Sequence, residues 1–410
     1  MELKNKSYEI QGVKLTDLAE QFGTPLYVYD ADRIKHQYEQ LISAFPIDGL
    51  KVKYAMKALS NISILKYIRS LGGGLDCVSI QEVQLGLKAG FRPEEIMFTP
   101  SSVAFEEIEA AIAIGVVLNI DNISILEQFG GKYVATQPVC IRINPHIMAG
   151  GNNKISTGHI DSKFGISILQ TRHLKRVIDT YKIDVCGLHM HTGSDILDAE
   201  VFLKGADILF DFAKEFDNIQ FLDFGSGFKV PYREGDIHVD IQALGQKITT
   251  AFKTFQKEYG SKVELWFEPG KYLVSEAGYV LVKTNVVKTT PATVFVGVNS
   301  GMNHLIRPMM YDAYHDIVNI SRPNGTQRVY TVVGYICETD TFGWDRQLSE
   351  VSIGDLLVIK NAGAYGISMA SNYNSRFRPA EVLIIDGQAK LIRAQETLED
   401  LVKGQIEIDI

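Results

Sequence analysis

In KVKYAMKALS, residues 51–60, the apolar run Val52–Met56 reads as a buried strand, and Lys57 follows it at once. Lysine is seldom buried without a partner. An amine held at a strand end can form a Schiff base with an aldehyde, provided desolvation or nearby cations lower its pKa. The position equally suits a surface lysine that snorkels along apolar neighbours. LDFGSGF, residues 222–228, sets two glycines just past another strand, where backbone N–H groups can approach a phosphate with no Cβ in the way. An ordinary βα turn has the same look. In LHMHTGS, residues 188–194, His189 and His191 share a strand face. They suit metal ligation, though no third ligand stands nearby in sequence, or stacking on a planar cofactor, or a plain core position. WFEPGKYL, residues 266–273, ends a strand in Glu268 and turns at Pro-Gly. A carboxylate facing a pyridine nitrogen keeps it protonated, and the ring becomes an electron sink that suits decarboxylation; an arginine there would suit racemisation. A salt-bridged rim carboxylate is the plainer reading. YICETDTFGWDR, residues 335–346, groups Cys337, Glu338 and Asp340. Carboxylates do not lower a thiol pKa, so Cys337 would donate a proton rather than attack as thiolate. The alternative is an acidic turn around a buried thiol.

Eight short apolar runs supply the strands: Lys51–Met56, Leu75–Val78, Ile96–Thr99, Val116–Ile120, Val139–Ile143, Val185–Met190, Phe221–Phe224 and Val263–Phe267. Helical spacing follows most of them, as in Ile62-Leu65-Ile68-Leu71 and Leu174-Val177-Ile178. Buried strands alternating with helices imply a parallel sheet. A (β/α)8 TIM-like barrel and a doubly wound open sheet both fit the count. The strand ends favour the barrel: Lys57, Ser79, His191, Ser194, Gly225, Gly227 and Glu268 gather at carboxyl ends, where a barrel keeps its active face. The long Gly- and Asn-rich connection Pro145–Gly165 is the candidate lid. After about Ser275 the pattern turns β-rich, in Ala277–Val287, Thr293–Val298, Val329–Cys337, Leu356–Lys360 and Glu381–Ile385. The expected domains are a cofactor-binding barrel over 30–275 and a mainly antiparallel β domain from 1–29 and 276–410, completing the active site and a dimer interface.

A chain of 410 residues exceeds one ordinary core, in agreement with two domains. Its 46% hydrophobic and 22% charged residues are those of a soluble globular protein. A net charge of −8 gives no reason to expect nucleic acid or an anionic membrane as partner. No apolar stretch would span a bilayer, and MELKNKSYEI lacks a secretory apolar region. Cys77, Cys140, Cys186 and Cys337 form no CxxC pair, which argues against a zinc site and fits a reducing cytoplasm.

Taken together the motifs resemble those of the fold-type III pyridoxal-phosphate decarboxylases, and most nearly the diaminopimelate branch. YAMKA, STGHIDSKFGI, HMHTGS, GSG, EPG, LIRPMMYDAYH, CETD, NAGAY and SNYNSRFRPAEV follow in that family's order over nearly the whole chain. The resemblance implies decarboxylation of meso-diaminopimelate to L-lysine with pyridoxal 5′-phosphate and no metal. It implies that Lys57 carries the cofactor, His191 stacks on its ring, and Asp76 and Ser194 lie close by. Gly225, Ser226 and Gly227 would cradle the phosphate with Tyr365, and Glu268 would pair with the ring nitrogen. Arg307 and Tyr311 would hold substrate carboxylate, with Tyr365 also near the substrate. Cys337 and Glu338 would reach in from a second subunit of a head-to-tail homodimer. Two positions depart from the pattern. Lys271 stands where the family has an arginine, a point charge without the bidentate fork. Ser79-Ile80-Gln81 replaces a usual glycine pair and leans toward the ornithine branch, whereas Cys337-Glu338 and RPMMYDAYH lean away from it. The alternative is therefore a decarboxylase of ornithine, arginine or lysine. A cofactor-binding relative without turnover is opposed by the set Lys57, His191, Glu268 and Cys337.

Overall fold

The computed structural model describes residues 1–133, 136–147, 161–191, 193, 199–233, 235–237 and 239–410. They form two compact units, one of residues 35–231 and 237–273, the other of 1–34, 232–236 and 274–410.

The first unit is a closed barrel. Its strands are β1 (Leu50–Ala55), β2 (Gly74–Cys77), β3 (Ile96–Phe98), β4 (Val117–Ile120), β5 (Val139–Asn144), β6 (Val185–His189), β7 (Phe221–Asp223) and β8 (Glu264–Phe267). Each pairs in parallel with the next, and β8 pairs back onto β1. A two-residue strand, Ile166–Ser167, adds to β5. Strands β3, β5, β6 and β7 are buried at every residue, as a sheet covered on both faces requires. The covering helices turn one stripe inward. Thr171–Tyr181 buries Leu174, Val177 and Ile178, and Ile241–Tyr259 buries Leu244, Ile248, Phe252 and Phe255. Asn61, Ser79, Asn122 and Asp240 each accept a backbone N–H at a helix start. Ser79 thus has a local role: its hydroxyl accepts from Glu82 N–H while Glu82 accepts from Val78 N–H.

The barrel interior has two tiers. Met97, Cys140, Cys186, Phe221 and Trp266 form an apolar floor, with the Phe221 and Trp266 rings stacked 3.7 Å apart. Gly187 leaves room for this pair, since a Cβ there would overlap the Phe221 ring. Lys53 lies 4.4 Å over Trp266 and donates to the Glu95 carbonyl at 3.1 Å; burial pulls its pKa down to about 8. Two residues further along most strands, and three along β6 where its register shifts at Cys186, the interior turns polar. Thr99, Asn119, Arg142, His189, Asp223 and Glu268 stand there, all buried.

The second unit is built on a mixed sheet. Its strands run in the order Thr341–Ser349, Gln327–Val333, Val294–Val298, Gly278–Thr289, Leu26–Asp30, Ala380–Ile385, Gln388–Arg393. Leu356–Ile359 pairs with both Gly278–Thr289 and Ile317–Asn319. Most pairings are antiparallel. Two are parallel, Val294–Val298 with Gln327–Val333 and Leu26–Asp30 with Ala380–Ile385. A separate three-stranded antiparallel sheet precedes it at Glu2–Lys4, Ser7–Ile10 and Val13–Lys14. Among the described residues no helix is long and apolar enough to cross a membrane.

Candidate active site

The carboxyl ends of the barrel strands hold the chemistry. Lys57 sits in a single 3-10 turn, Met56–Ala58, directly after β1. Its Nζ lies 3.7 Å from Asp76 Oδ2 at the end of β2; the lysine side chain is 45% exposed and the aspartate 1%. The amine therefore reaches the mouth from a buried counter-ion. Burial pushes the Asp76 carboxyl up to about 6, helped by repulsion from Glu268 and opposed by Lys57.

The ends of β6, β7 and β8 are laced by backbone hydrogen bonds. Gly225 N–H donates to Asp223 Oδ1 at 2.7 Å, and Glu268 N–H donates to Gly225 O at 2.6 Å. Ser226 N–H donates to His191 Nδ1 at 3.3 Å. Gly225 has φ +60°, and a Cβ there would sit 2.5 Å from His191 Nδ1. Only glycine satisfies both the dihedral and the approach.

Glu268 has two unlike oxygens. Oε2 lies 3.0 Å from His189 Nε2, and Oε1 is buried with no protein partner. Burial raises the Glu268 carboxyl, with Lys57 and Arg142 opposing. Asp223 is pushed well above the usual carboxylate range by burial and then by Glu268. Burial drives both His189 and His191 well below the ordinary imidazole value, and the Arg142 charge adds to it. Both rings are therefore neutral. The Ser226 contact assigns the His191 proton to Nε2, and the Glu268 contact assigns the His189 proton to Nε2 as well. Donor atoms of His189, Asp223 and Glu268 lie within 4.8 Å of one another. Such a set occurs at metal sites, but Arg142 already supplies a permanent cation facing Glu268, Asp121, Asp76 and Asp223. The trio is an electrostatic cluster.

Lys271 opens the short helix Lys271–Val274 after the Pro-Gly turn. Lys57, Asp76, His191, Gly225, Ser226, Gly227, Glu268 and Lys271 thus share one end of one unit. Ser194, and residues 148–160 of the expected lid, lie outside the described residues. Arg142 and Asp223 were not singled out from sequence. A guanidinium inside the apolar run of β5 was the signal for the first. The second ends β7, within the quoted LDFGSGF.

The remaining candidates belong to the second unit. Arg307 begins the helix Arg307–Tyr311; it is buried, its Nε has no protein partner, and its guanidinium lies 5.9 Å from the Tyr311 ring and 5.4 Å from the Tyr232 ring. Tyr373 O–H donates to Glu338 Oε1 at 2.5 Å, and Asn374 Nδ2 lies 3.1 Å from Cys337 Sγ. Glu338 and Tyr373 help line a recess of about 430 Å³ with Met302, Asn303, Ile306 and Ser371. The turn is acidic, but the thiol is not buried: Cys337 is exposed. Asp340 is the buried member, accepting Met302 N–H and Ile336 N–H, so it organises the turn. Tyr365 holds a left-handed backbone, φ +56°.

A family model described as pyridoxal-dependent decarboxylase, pyridoxal binding domain, matches residues 31–275. The chain is 38% identical to the diaminopimelate decarboxylase of Methanothermobacter thermautotrophicus over 97% of its own length and 95% of the relative's. It is 37% identical to that of Bacillus subtilis, over 96% and 94%. The chain belongs to the diaminopimelate decarboxylase family. Among solved structures, the diaminopimelate decarboxylase of Methanocaldococcus jannaschii in co-complex with L-lysine superposes with TM-score 0.92 at 34% identity, covering 99% of this chain and 98% of the other. A diaminopimelate decarboxylase of this family uses pyridoxal phosphate, and the barrel end fits that group. An amine stands at the mouth, a Gly-Ser-Gly turn follows β7 with no room for a Cβ at Gly225, and Glu268 Oε1 is a buried acceptor awaiting a donor.

Proposed function

We propose that this chain decarboxylates meso-diaminopimelate to L-lysine and CO2 with pyridoxal 5′-phosphate. The observation that carries the reading is Lys57 held at the barrel mouth by the buried Asp76, with the buried Glu268 at the end of β8 of the same barrel. When bound, pyridoxal phosphate supplies the sink for the electron pair that CO2 leaves behind. The chain's own groups hold and orient. Lys57, at the mouth beside Asp76, would hold the cofactor aldehyde. The Gly225-Ser226-Gly227 turn would cradle the phosphate, its Gly225 and Ser226 N–H groups being held by Asp223 and His191, and Tyr365 and Ser194 would contribute to cofactor binding. His191, neutral, would face the ring, and Asp76 would hold the Lys57 charge. Glu268 Oε1 would accept the ring N–H and keep that nitrogen protonated.

Substrate selection falls to cations and one acid. Lys271 and Arg307 hold carboxylate, with Tyr311 and Tyr365 at their side. Glu338 takes the distal ammonium. A site built for a second charged end leaves its own groups unpaired with any substrate that lacks it, which is a strong basis for rejection. Cys337, or Lys57 once released, returns a proton to the reacting carbon. Cys337 and Glu338 act on the neighbouring subunit's site, so the working unit is a head-to-tail homodimer. Four cysteines with no paired spacing support a cytoplasmic home. Product analysis by mass spectrometry tests the reading. The protein with pyridoxal phosphate is offered meso-diaminopimelate, L-ornithine, L-arginine and L-lysine in parallel. Lysine formed from diaminopimelate alone is expected; putrescine or agmatine would move the chain to the diamine branch.

A further inference from the structure

We propose that His189 is a positioning residue for the cofactor-facing carboxylate: its Nε2–H holds Glu268 Oε2 and so presents Oε1 to the ring nitrogen. The inference rests on the reading of Glu268 given above. It begins with an asymmetry. Of the two Glu268 oxygens, one is 3.0 Å from His189 Nε2 and the other is buried with no protein partner. A carboxylate on a flexible stem can present either oxygen by rotation. A directed donor on one of them selects a single presentation.

One other side chain approaches, the Asp223 carboxyl, which also hydrogen-bonds Glu268. Asp223 Oδ1 is committed to Gly225 N–H, whereas His189 makes a directed contact to Oε2 alone, so His189 is the group that tells the two glutamate oxygens apart. The Glu268 backbone is pinned separately, by its N–H bond to Gly225 O. The main chain of Glu268 is thus tied to the phosphate loop, and its side chain to β6 through His189. His189 itself has no solvent exposure, and its Nδ1 is buried without a partner. The neutral imidazole has one N–H, and the short contact assigns it to Nε2. A buried polar ring that leaves one nitrogen unpaired is costly to keep for packing alone. Leucine would fill a similar volume without that cost.

The test uses two ligands that differ only at the ring nitrogen: pyridoxal 5′-phosphate and its 1-deaza analogue, which has carbon there. Dissociation constants for both are measured by equilibrium dialysis on the full-length protein. In the wild type the ratio favours pyridoxal phosphate. His189→Leu is expected to shrink that preference about tenfold, the worth of one well-oriented charge-assisted bond. His189→Gln, which can still donate, should keep most of it. General damage to the barrel weakens both ligands alike and leaves the ratio intact, so the ratio separates positioning from packing. If His189→Leu keeps the wild-type ratio, the inference fails. Should that variant not fold, His189→Met is read in its place by the same criterion. Glu268→Ala distinguishes the two levels: an unchanged ratio there overturns the reading of Glu268 itself, whereas a collapsed ratio with an unaltered His189→Leu overturns only the role of His189.

Discussion

Asp76 carries a measurable cost. Its carboxyl, 1% exposed, is raised from 3.8 to about 6 mainly by burial. A carboxyl raised in the fold binds more protons than in the unfolded chain between those values, so stability falls as pH rises through that window. A rise of that size corresponds to about 3 kcal/mol. Asp76→Asn should therefore stabilise the cofactor-free protein at pH 7.5 and do little at pH 4, as read from thermal melts at both. An equal effect at the two pH values would remove ionisation as the cause. Two other residues are tested by chemistry. Lys57→Ala should abolish turnover and leave no cofactor fixed on the chain by borohydride. Arg307→Ala should raise KM for diaminopimelate by about 100-fold, the loss of a charged hydrogen-bonded contact, and narrow its advantage over ornithine.

At the scale of elements, Gly187 sets the barrel floor. It lies on β6 against the Phe221 ring, which stacks on Trp266. Gly187→Ala should cost about 1–3 kcal/mol in urea unfolding, because a packed floor admits no added methyl. No change would mean that β6 can shift at little cost. The same strands show why so much was legible. All eight barrel runs were long enough in β-branched and apolar residues to be seen, and Lys57, Gly225 and Glu268 were conspicuous just past them. Arg142 was missed because a charge inside a buried strand breaks the pattern rather than making one. In the second unit Thr341–Ser349 was missed because Trp344, Asp345 and Gln347 face outward along it, and Gln388–Arg393 because it alternates between exposed and half-buried positions with no apolar run. Leu26–Asp30 pairs in parallel with Ala380–Ile385, more than 350 residues away, a separation no local pattern encodes. The Tyr373 contact to Glu338 is non-local in the same way.

At the scale of the whole molecule, buried imidazoles make acid destabilising. In the second unit burial lowers His304 to about 4 and His315 to about 3. Below the unfolded histidine value the unfolded chain binds protons that these rings refuse, so stability falls as pH falls. Each contributes roughly 2 kcal/mol of loss by pH 5. Asp76 in the barrel has the opposite slope. His189 and His191 in the barrel share the sign of His304 and His315. The proposed dimer has its own test. Mixing inactive Lys57→Ala with inactive Cys337→Ala should restore about a quarter of wild-type activity, since half of random dimers are mixed and each has one intact site. No recovery would mean that each chain completes its own site.

The distribution of the thiols has a practical side. Cys77, Cys140 and Cys186 are buried, and burial holds all three pKa values high, Cys186 at about 12; Cys337 alone is exposed. A maleimide dye at neutral pH should therefore attach once per folded chain, at Cys337, without any cysteine having to be engineered away. If two chains bury that sulfur between them, labelling slows as protein concentration rises, and the midpoint of that slowing reads out the association constant. The three interior thiols react only when the barrel opens, so the same reagent, left longer, becomes a clock for unfolding.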